Sequence, residues 1–384
     1  MKTKKKVLMI TWRDIKSPFS GGAENLSHHI LKELKSKYDI TVWSSAFPNC
    51  KRFEKIDGIQ YIRMGSKKFN FIGPYNWRVY FTVFRYYWFT NKRNINFDVV
   101  IEQINNIPFL FSLYGKNKAF IYINQLCREN WFHQLPWVFA VLGYYIFEPV
   151  YLWLLRNKKV ITISQSTKND LLKFGFKEKN INIIPVAIDI KPIKNSKSLK
   201  KFKDFSLLSL GNIREMKRTL DQIKSFEIAK KTIPKLKLYI AGAPSGGYAA
   251  KVFDLIHRSV YKKDIVYLGS ISKQQKIKIM QKCHCLLVTS IKEGWGLVVT
   301  EAASQGTPSI VYNVGGLRDS VKKNKTGLIC DINTPENLAK NICKLYKNKS
   351  LYNKLQNNGL NWNRELTYNN SAKTFLEIIR HAPK

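Results

Sequence analysis

Acidic residues are scarce in this chain: 26 Asp and Glu stand against 65 Lys and Arg in 384 residues, a formal charge of +39. That imbalance points to polyanions nearby, whether nucleic acid, anionic headgroups or phosphorylated substrates. It follows equally from a lysine-rich composition spread over solvated faces, since the lysines run the length of the chain. Paired cysteines are lacking. Cys50, Cys127, Cys283, Cys285, Cys330 and Cys343 form no C-x-x-C, and Cys283-His284-Cys285 is too tight for a zinc knuckle. Reduced, buried thiols in a cytoplasmic protein are expected instead. The start, MKTKKKVLMITWRD, has an apolar run of only six residues before Arg13. It is too short for a signal peptide and right for a first buried strand. No G-x-G-x-x-G appears, which disfavours a dehydrogenase-type nucleotide site.

What is there is a globular composition, 45% hydrophobic and 24% charged. Its length exceeds what one core usually supports, so two domains are expected. Apolar strand-like runs alternate with helical segments: VLMITW, ITVWSS, DVVIEQ, AFIYIN and KVITIS, then FSLLSLG, LKLYIAG, IVYLGS, CLLVTS and SIVYN. This is the pattern of parallel sheets covered on both faces, an α/β chain of two doubly wound domains. The lysine-rich, aperiodic KPIKNSKSLKKFKDF, residues 191–205, is the linker candidate. The expected domains are 1–190 and 191–365, with a helix over 366–384 returning to the first.

In such sheets ligands bind beyond the carboxyl ends of the strands. After the first strand, Gly21 and Gly22 precede a helix carrying Glu24, so bare amides can approach a ligand. After FSLLSLG come Arg214, Lys217 and Arg218, cations suited to a diphosphate, or else an ordinary solvated loop. The richest stretch is SIKEGWGLVVTEAASQG, in which Glu293 and Glu301 stand eight positions apart around Gly294, Trp295 and Gly296. A helix opening there offers unpaired amides to an anion, near residues 295–298. Its two carboxylates suit diols rather than phosphate, and carboxylates for diols with amides for phosphate describe a site for a nucleotide sugar.

These motifs resemble the retaining glycosyltransferases of family 4, which have the GT-B fold. Glu293 to Glu301 is similar to their E-x7-E signature, followed by Gly306-Thr307-Pro308. Gly21-Gly22-Ala23-Glu24, ITISQSTKNDL, INIIPVAID, LGSIS, NVGGLRDSV and TGLIC fall in that family's order. The resemblance implies two Rossmann-like domains, with the donor in an interdomain cleft. It makes Glu301 the ribose ligand, Glu293 the ligand of the donor hexose, and Lys217 the phosphate lysine, so that Glu293 and Lys217 are the catalytic candidates. The amides of Gly22 and of Trp295, Gly296, Leu297 and Val298 would hold the diphosphate and sugar, completing a donor set with Gly21, Arg214 and Gly294. It also implies front-face retention with no protein nucleophile, no metal and no cofactor. Two positions depart from the family pattern. Asn212 stands where the family has Arg, with Arg214 nearby, and Asn124 stands where it often has His, leaving Asn124 or His133 on the acceptor side.

Two further stretches are aromatic and apolar: residues 69–93, and LPWVFAVLGYYIFEPVYLWLL, residues 135–155. The second is nearly long enough to cross a bilayer but is interrupted by Pro136, Gly143, Glu148 and Pro149. Interfacial docking on an anionic membrane is one reading of both stretches; core helices of the acceptor domain are the other. The expectation is therefore a glycosyltransferase on the inner face of the membrane, acting on a nucleoside-diphosphate sugar and a glycan or lipid-linked acceptor. A nucleotide-sugar epimerase or a phosphorylase is the alternative. Nucleic acid is not an expected partner, since no zinc-finger, homeodomain or RNP-like motif is present.

Overall fold

The computed structural model describes residues 4–67, 78–92, 97–115, 118–196 and 199–380. The chain divides into two units, Met1–Ala187 with Thr367–Lys384, and Ile188–Leu366.

The first unit is built on eight strands: β1 (Lys5–Ile10), β2 (Tyr38–Ser45), β3 (Phe53–Ile56), β4 (Ile59–Met64), β5 (Val99–Ile104), β6 (Ala119–Ile123), β7 (Lys159–Thr162) and β8 (Ile181–Ile183). Their order is β3-β4-β2-β1-β5-β6-β7-β8, parallel except for β3 against β4. Val7, Leu8, Met9 and Ile10 are all buried, as a central parallel strand demands. Leu8, Ile10, Trp43 and Val100 pack with Val79, Val83 and Tyr87 of the helix Arg78–Lys92. A second cluster joins Ile121, Ile123 and Val160 to Leu152, Leu155 and Leu171. The helix Tyr368–Arg380 buries Ala372, Phe375, Leu376 and Ile379, a spacing of three and four that makes one stripe. Each of its three large side chains contributes about 1.5–3 kcal/mol of burial. It lies on the helix Gly22–Leu34, where Tyr368 stacks on His29 at 4.5 Å, and Ser371 Oγ donates to Pro185 O at 2.7 Å.

The second unit holds β9 (Ser206–Leu210), β10 (Lys237–Ala241), β11 (Ile265–Tyr267), β12 (Cys285–Val288), β13 (Ser309–Val311) and β14 (Gly327–Ile329). All pairs are parallel, in the order β11-β10-β9-β12-β13-β14. Helices cover both faces. Leu207, Leu238 and Leu287 meet Phe226, Val252 and Ile342 on one side, while Leu208, Leu286 and Val311 meet Met280 and Val299 on the other.

Two expectations need correction. The described residues of 191–205 are not a loose linker, since they are pinned along the second unit. Ile193 N donates to Ser304 O at 3.0 Å and Phe202 N to Lys282 O at 2.9 Å. Lys201 Nζ meets Thr307 Oγ1, Cys283 O and Gly306 O at 2.7, 2.8 and 3.0 Å. Composition counts lysines, but it does not show which one finds three acceptors. Nor do Gly143, Glu148 and Pro149 interrupt the apolar segment. Trp137–Leu142, a π turn over Gly143–Phe147 and Glu148–Leu155 form a continuous run of 19 residues. The π turn supplies Glu148 N with the Gly143 carbonyl, and it absorbs Pro149, which brings no N–H. Only Arg78–Lys92 of the other aromatic stretch is described as helix, and residues 69–77, with Trp77, lie outside the described residues.

Candidate active site

In the second sheet the chain runs outward from β9 in one direction and from β12 in the other. The crevice at their carboxyl ends is therefore the switch point where ligands bind in such folds. Two loops meet there. Ile291 N donates to Met216 O at 2.9 Å, and Thr289 Oγ1 donates to Lys217 O at 2.7 Å. Gln222 Nε2 donates to the same hydroxyl at 2.9 Å. This stitching brings the Lys217 ammonium onto Glu293 Oε1, which also accepts from Ser290 Oγ at 2.8 Å. Burial pushes the Glu293 carboxyl up, but the Lys217 charge, hydrogen bonds from Lys217 and Ser290, and the charge of Arg214 outweigh it. The carboxyl is left below the ordinary glutamate range. Arg214 itself is exposed.

The turn between Glu293 and the following helix is shaped by two glycines. Gly296 caps the helix Leu297–Ser304 with φ +87°, a conformation that a side chain resists. Gly316 lies so close that a Cβ there would sit 2.3 Å from Gly294 C, and its amide donates to Glu293 O at 3.0 Å. The first-turn amides of Leu297 and Val298 have no helical acceptor ahead of them and face the anion position of a helix start. Trp295 Nε1 is buried with no partner among the described residues, its ring 6.2 Å from that of Trp362. Glu301, the fifth residue of the helix, has both carboxylate oxygens 2.9 Å from Lys276 Nζ. Burial holds its carboxyl above the ordinary range even though Lys276 pulls it down.

In the first unit the corresponding switch point lies between β1 and β5. The helix there begins at Gly22 with Gly21 as its cap, and Glu24 turns back so that Oε2 accepts from Gly21 N at 2.8 Å. Glu24 Oε1 also accepts from Arg13 Nε at 3.2 Å. The Gly21 amide, expected to face a ligand, is thus taken by the helix's own carboxylate, which leaves Gly22. Asn124 follows β6, 9% exposed, and neither its Oδ1 nor its Nδ2 has a partner among the described residues. Gln103 Nε2 and Asn105 Nδ2, at the end of the adjacent β5, are likewise buried and unmatched. Buried amides without partners are uncommon in folded proteins. His133 sits exposed in the last turn of Asn130–Gln134.

Comparison with known proteins adds to this geometry. Residues 191–362 match the model described as glycosyl transferases group 1, and residues 20–191 match glycosyltransferase family 4. The chain is a GT-B glycosyltransferase. It is 26% identical over 180 residues to a glycogen synthase of Mycobacterium tuberculosis, covering 46% of this chain and 43% of that one. The chain thus aligns with less than half the length of that relative. An uncharacterized glycosyltransferase of Methanocaldococcus jannaschii is 23% identical, with 98% of each chain covered. Among solved structures, sucrose-phosphate synthase from Thermosynechococcus elongatus gives a TM-score of 0.76 at 15% identity, covering 98% of each chain. The Anabaena protein HepE, solved with UDP and glucose, gives 0.71 at 14% identity, covering 98% of this chain and all of that one. At such identities these two structures show the fold alone.

Several residues of the glycosyltransferase's site had no signal in the sequence. Lys276 reads as one lysine among many in KQQKIKIM, and only the packing of its helix against Leu297–Ser304 sets it on Glu301. Gly316 was visible as part of NVGGLRDSV, but its job, admitting the Glu293–Trp295 backbone, was not. Gln103 closes the strand-like run DVVIEQ, and Asn105 lies beyond it in no motif.

Proposed function

We propose that this glycosyltransferase is a retaining, metal-independent hexosyltransferase, using a UDP- or GDP-sugar and a glycan or lipid-linked acceptor in cell-surface glycan or glycolipid synthesis. The observation that carries the reading is the grouping at the ends of β9 and β12. Lys217 is paired with Glu293 beside a helix start, and Glu301 lies farther along the same helix. Cations and amides suit a diphosphate, and the two carboxylates suit the hydroxyls on either side of it. Glu301 would accept from the ribose and Glu293 from the hexose. As the bond from the sugar's anomeric carbon to phosphate breaks, its electron pair leaves with the nucleoside diphosphate. Lys217, Arg214 and the Leu297 and Val298 amides meet that growing charge. The acceptor hydroxyl attacks from the departing face and passes its proton to the leaving phosphate oxygen, so no protein nucleophile is needed. The UDP in the Anabaena neighbour supports a nucleoside diphosphate of this kind. On the other unit, the unmatched amides of Asn124, Gln103 and Asn105 are the proposed acceptor side, and the exposed His133 is the weaker candidate.

We further propose that the enzyme works at the cytoplasmic face of an anionic membrane, as a peripheral protein. The support is the outer face of the run Trp137–Leu155. Trp137, Val138, Phe139, Tyr145, Ile146, Val150 and Trp153 are all more than half exposed. By length and composition the run is able to cross a bilayer, with a mean hydropathy of 1.6. Its inner face argues for lying flat. Glu148 is fully buried and accepts from Cys127 N, Arg128 N and Trp131 Nε1 at 2.7–2.8 Å, while Leu152 and Leu155 sit in the core. Withdrawing the helix would strand three donors, at about 1–3 kcal/mol for each of the two that are buried, Cys127 N and Trp131 Nε1. Arg156 over the Trp153 ring at 4.2 Å, and Arg85 over Phe81 and Phe89, place cations beside exposed aromatics, the arrangement of an interfacial belt.

The test is thermal shift with UDP, GDP and an oligonucleotide, followed by a screen of nucleotide sugars for transfer. One nucleoside diphosphate should stabilise the protein, and E301A should weaken that binding by about 1.5–3 kcal/mol. Stabilisation by the oligonucleotide alone would reject the reading.

A further inference from the structure

Lys276 lies on the helix Lys273–Lys282, ahead of β12 and outside every motif described above. The helix is firmly started: Ser272 Oγ accepts from Gln275 N at 3.3 Å, and Gln275 Oε1 accepts from Ser272 N at 2.8 Å. Its packing brings Lys276 Nζ to 2.9 Å from both oxygens of Glu301, in a pair whose side chains are only 29% and 14% exposed. A carboxylate has about four lone-pair positions. An ammonium centred between the two oxygens occupies one on each and leaves one on each. Those left lie on opposite flanks of the carboxylate, and each is open to a sugar hydroxyl.

Resting on the reading of Glu301 as the ribose ligand, we infer that Lys276 is a positioning residue for nucleoside binding. It sets the plane of the Glu301 carboxylate and keeps it charged, so that a remaining lone pair is held toward a ribose hydroxyl. The charge matters because the site is buried: burial favours the protonated acid, and a protonated carboxyl has lost one acceptor position. The charged groups acting on Glu301 are Lys276 and Lys273 from the neighbouring helix and Asp189 from the segment before β9. Asp189 opposes ionisation and is itself paired with Lys273 at 2.6 Å, which leaves Lys276 as the cation bonded to the carboxylate.

The experiment is calorimetric titration with UDP and GDP from pH 5.5 to 9 on the full-length wild type, K276M, K276Q, K276R and E301Q, each checked for folding by circular dichroism. K276M should bind weakly at neutral pH and recover toward wild type near pH 9. The acid limb of its affinity profile should move to higher pH by about 1–3 units, the effect of losing an adjacent opposite charge. K276Q, a second neutral variant should K276M fold poorly, should show the same displacement, and K276R should follow the wild type. E301Q should be weak at every pH. A neutral variant superimposing on wild type, or weakened equally at all pH values, overturns the inference while E301Q still upholds the ribose reading. If E301Q binds as tightly as wild type, or neither nucleotide binds, the ribose reading fails and the inference falls with it.

Discussion

Lys217 carries more of this site than its place in a lysine-rich chain suggests. It sits on a carboxylate that would be costly to bury alone, and that pairing favours the charged form of Glu293 before any donor arrives. K217A should therefore lower turnover by about 10²–10³, the usual cost of one group facing charge that develops in the transition state, with much less effect on Tm. R214A, exposed, should cost less. Steady-state kinetics beside thermal melts separates the two effects, and equal loss of stability and rate would make Lys217 a structural residue. Dialysis against EDTA should leave the wild-type rate unchanged, and reversible loss would reject the metal-independent mechanism. The pH dependence has a definite sign. A carboxyl held below its ordinary value contributes stability that is present above the unfolded-state pKa and lost as pH falls through the folded one. Stability owed to Glu293 should thus be flat from pH 8 to about 5 and decline only in stronger acid.

At the scale of elements, the site depends on a turn at which two helix starts meet. Gly296 gives the helix start its left-handed residue, and Gly316 lets a second helix start touch the Glu293–Trp295 backbone. G316A would put a methyl group 2.3 Å from Gly294 C, so the turn must shift. Affinity for the nucleoside diphosphate should fall by about tenfold or more, since even a 1 Å misplacement of reacting groups can cost 10²-fold. Calorimetry on the folded variant measures it, and wild-type affinity would show that the turn does not hold the ligand. The helix run Trp137–Leu155 teaches a complementary point. Glu148 read as an interruption in an apolar stretch, whereas it is the inward anchor of that stretch. Periodicity alone does not separate a carboxylate facing water from one facing three donors.

Over the whole molecule the dominant facts are a formal charge of +39 and an uncovered aromatic helix face on the first unit. Lysines near an anionic surface contribute about 1 kcal/mol each, a term that salt screens, while inserted aromatics add one that it does not. Vesicles containing anionic lipid should bind the protein better than neutral ones and release most of it in high salt. W137A and W153A, at exposed positions, should weaken the salt-resistant part without lowering Tm. Equal binding to neutral vesicles, or extraction by detergent alone, would reject peripheral docking. The sequence by itself determined the alternation of strand and helix, the two parallel sheets and the spacing of Glu293, Glu301 and Lys217, because hydrophobic period, glycine loops and carboxylate spacing are local properties of the chain. Tertiary structure alone decided that Lys276 grips Glu301, that Glu24 takes the Gly21 amide, that Asn124 is buried without a side-chain partner among the described residues while His133 is exposed, and that Lys201 pins the supposed linker. The reason is physical: the partner of a buried polar group comes from a distant part of the chain, and in a sequence with 65 basic residues nothing local marks which of them will be enclosed.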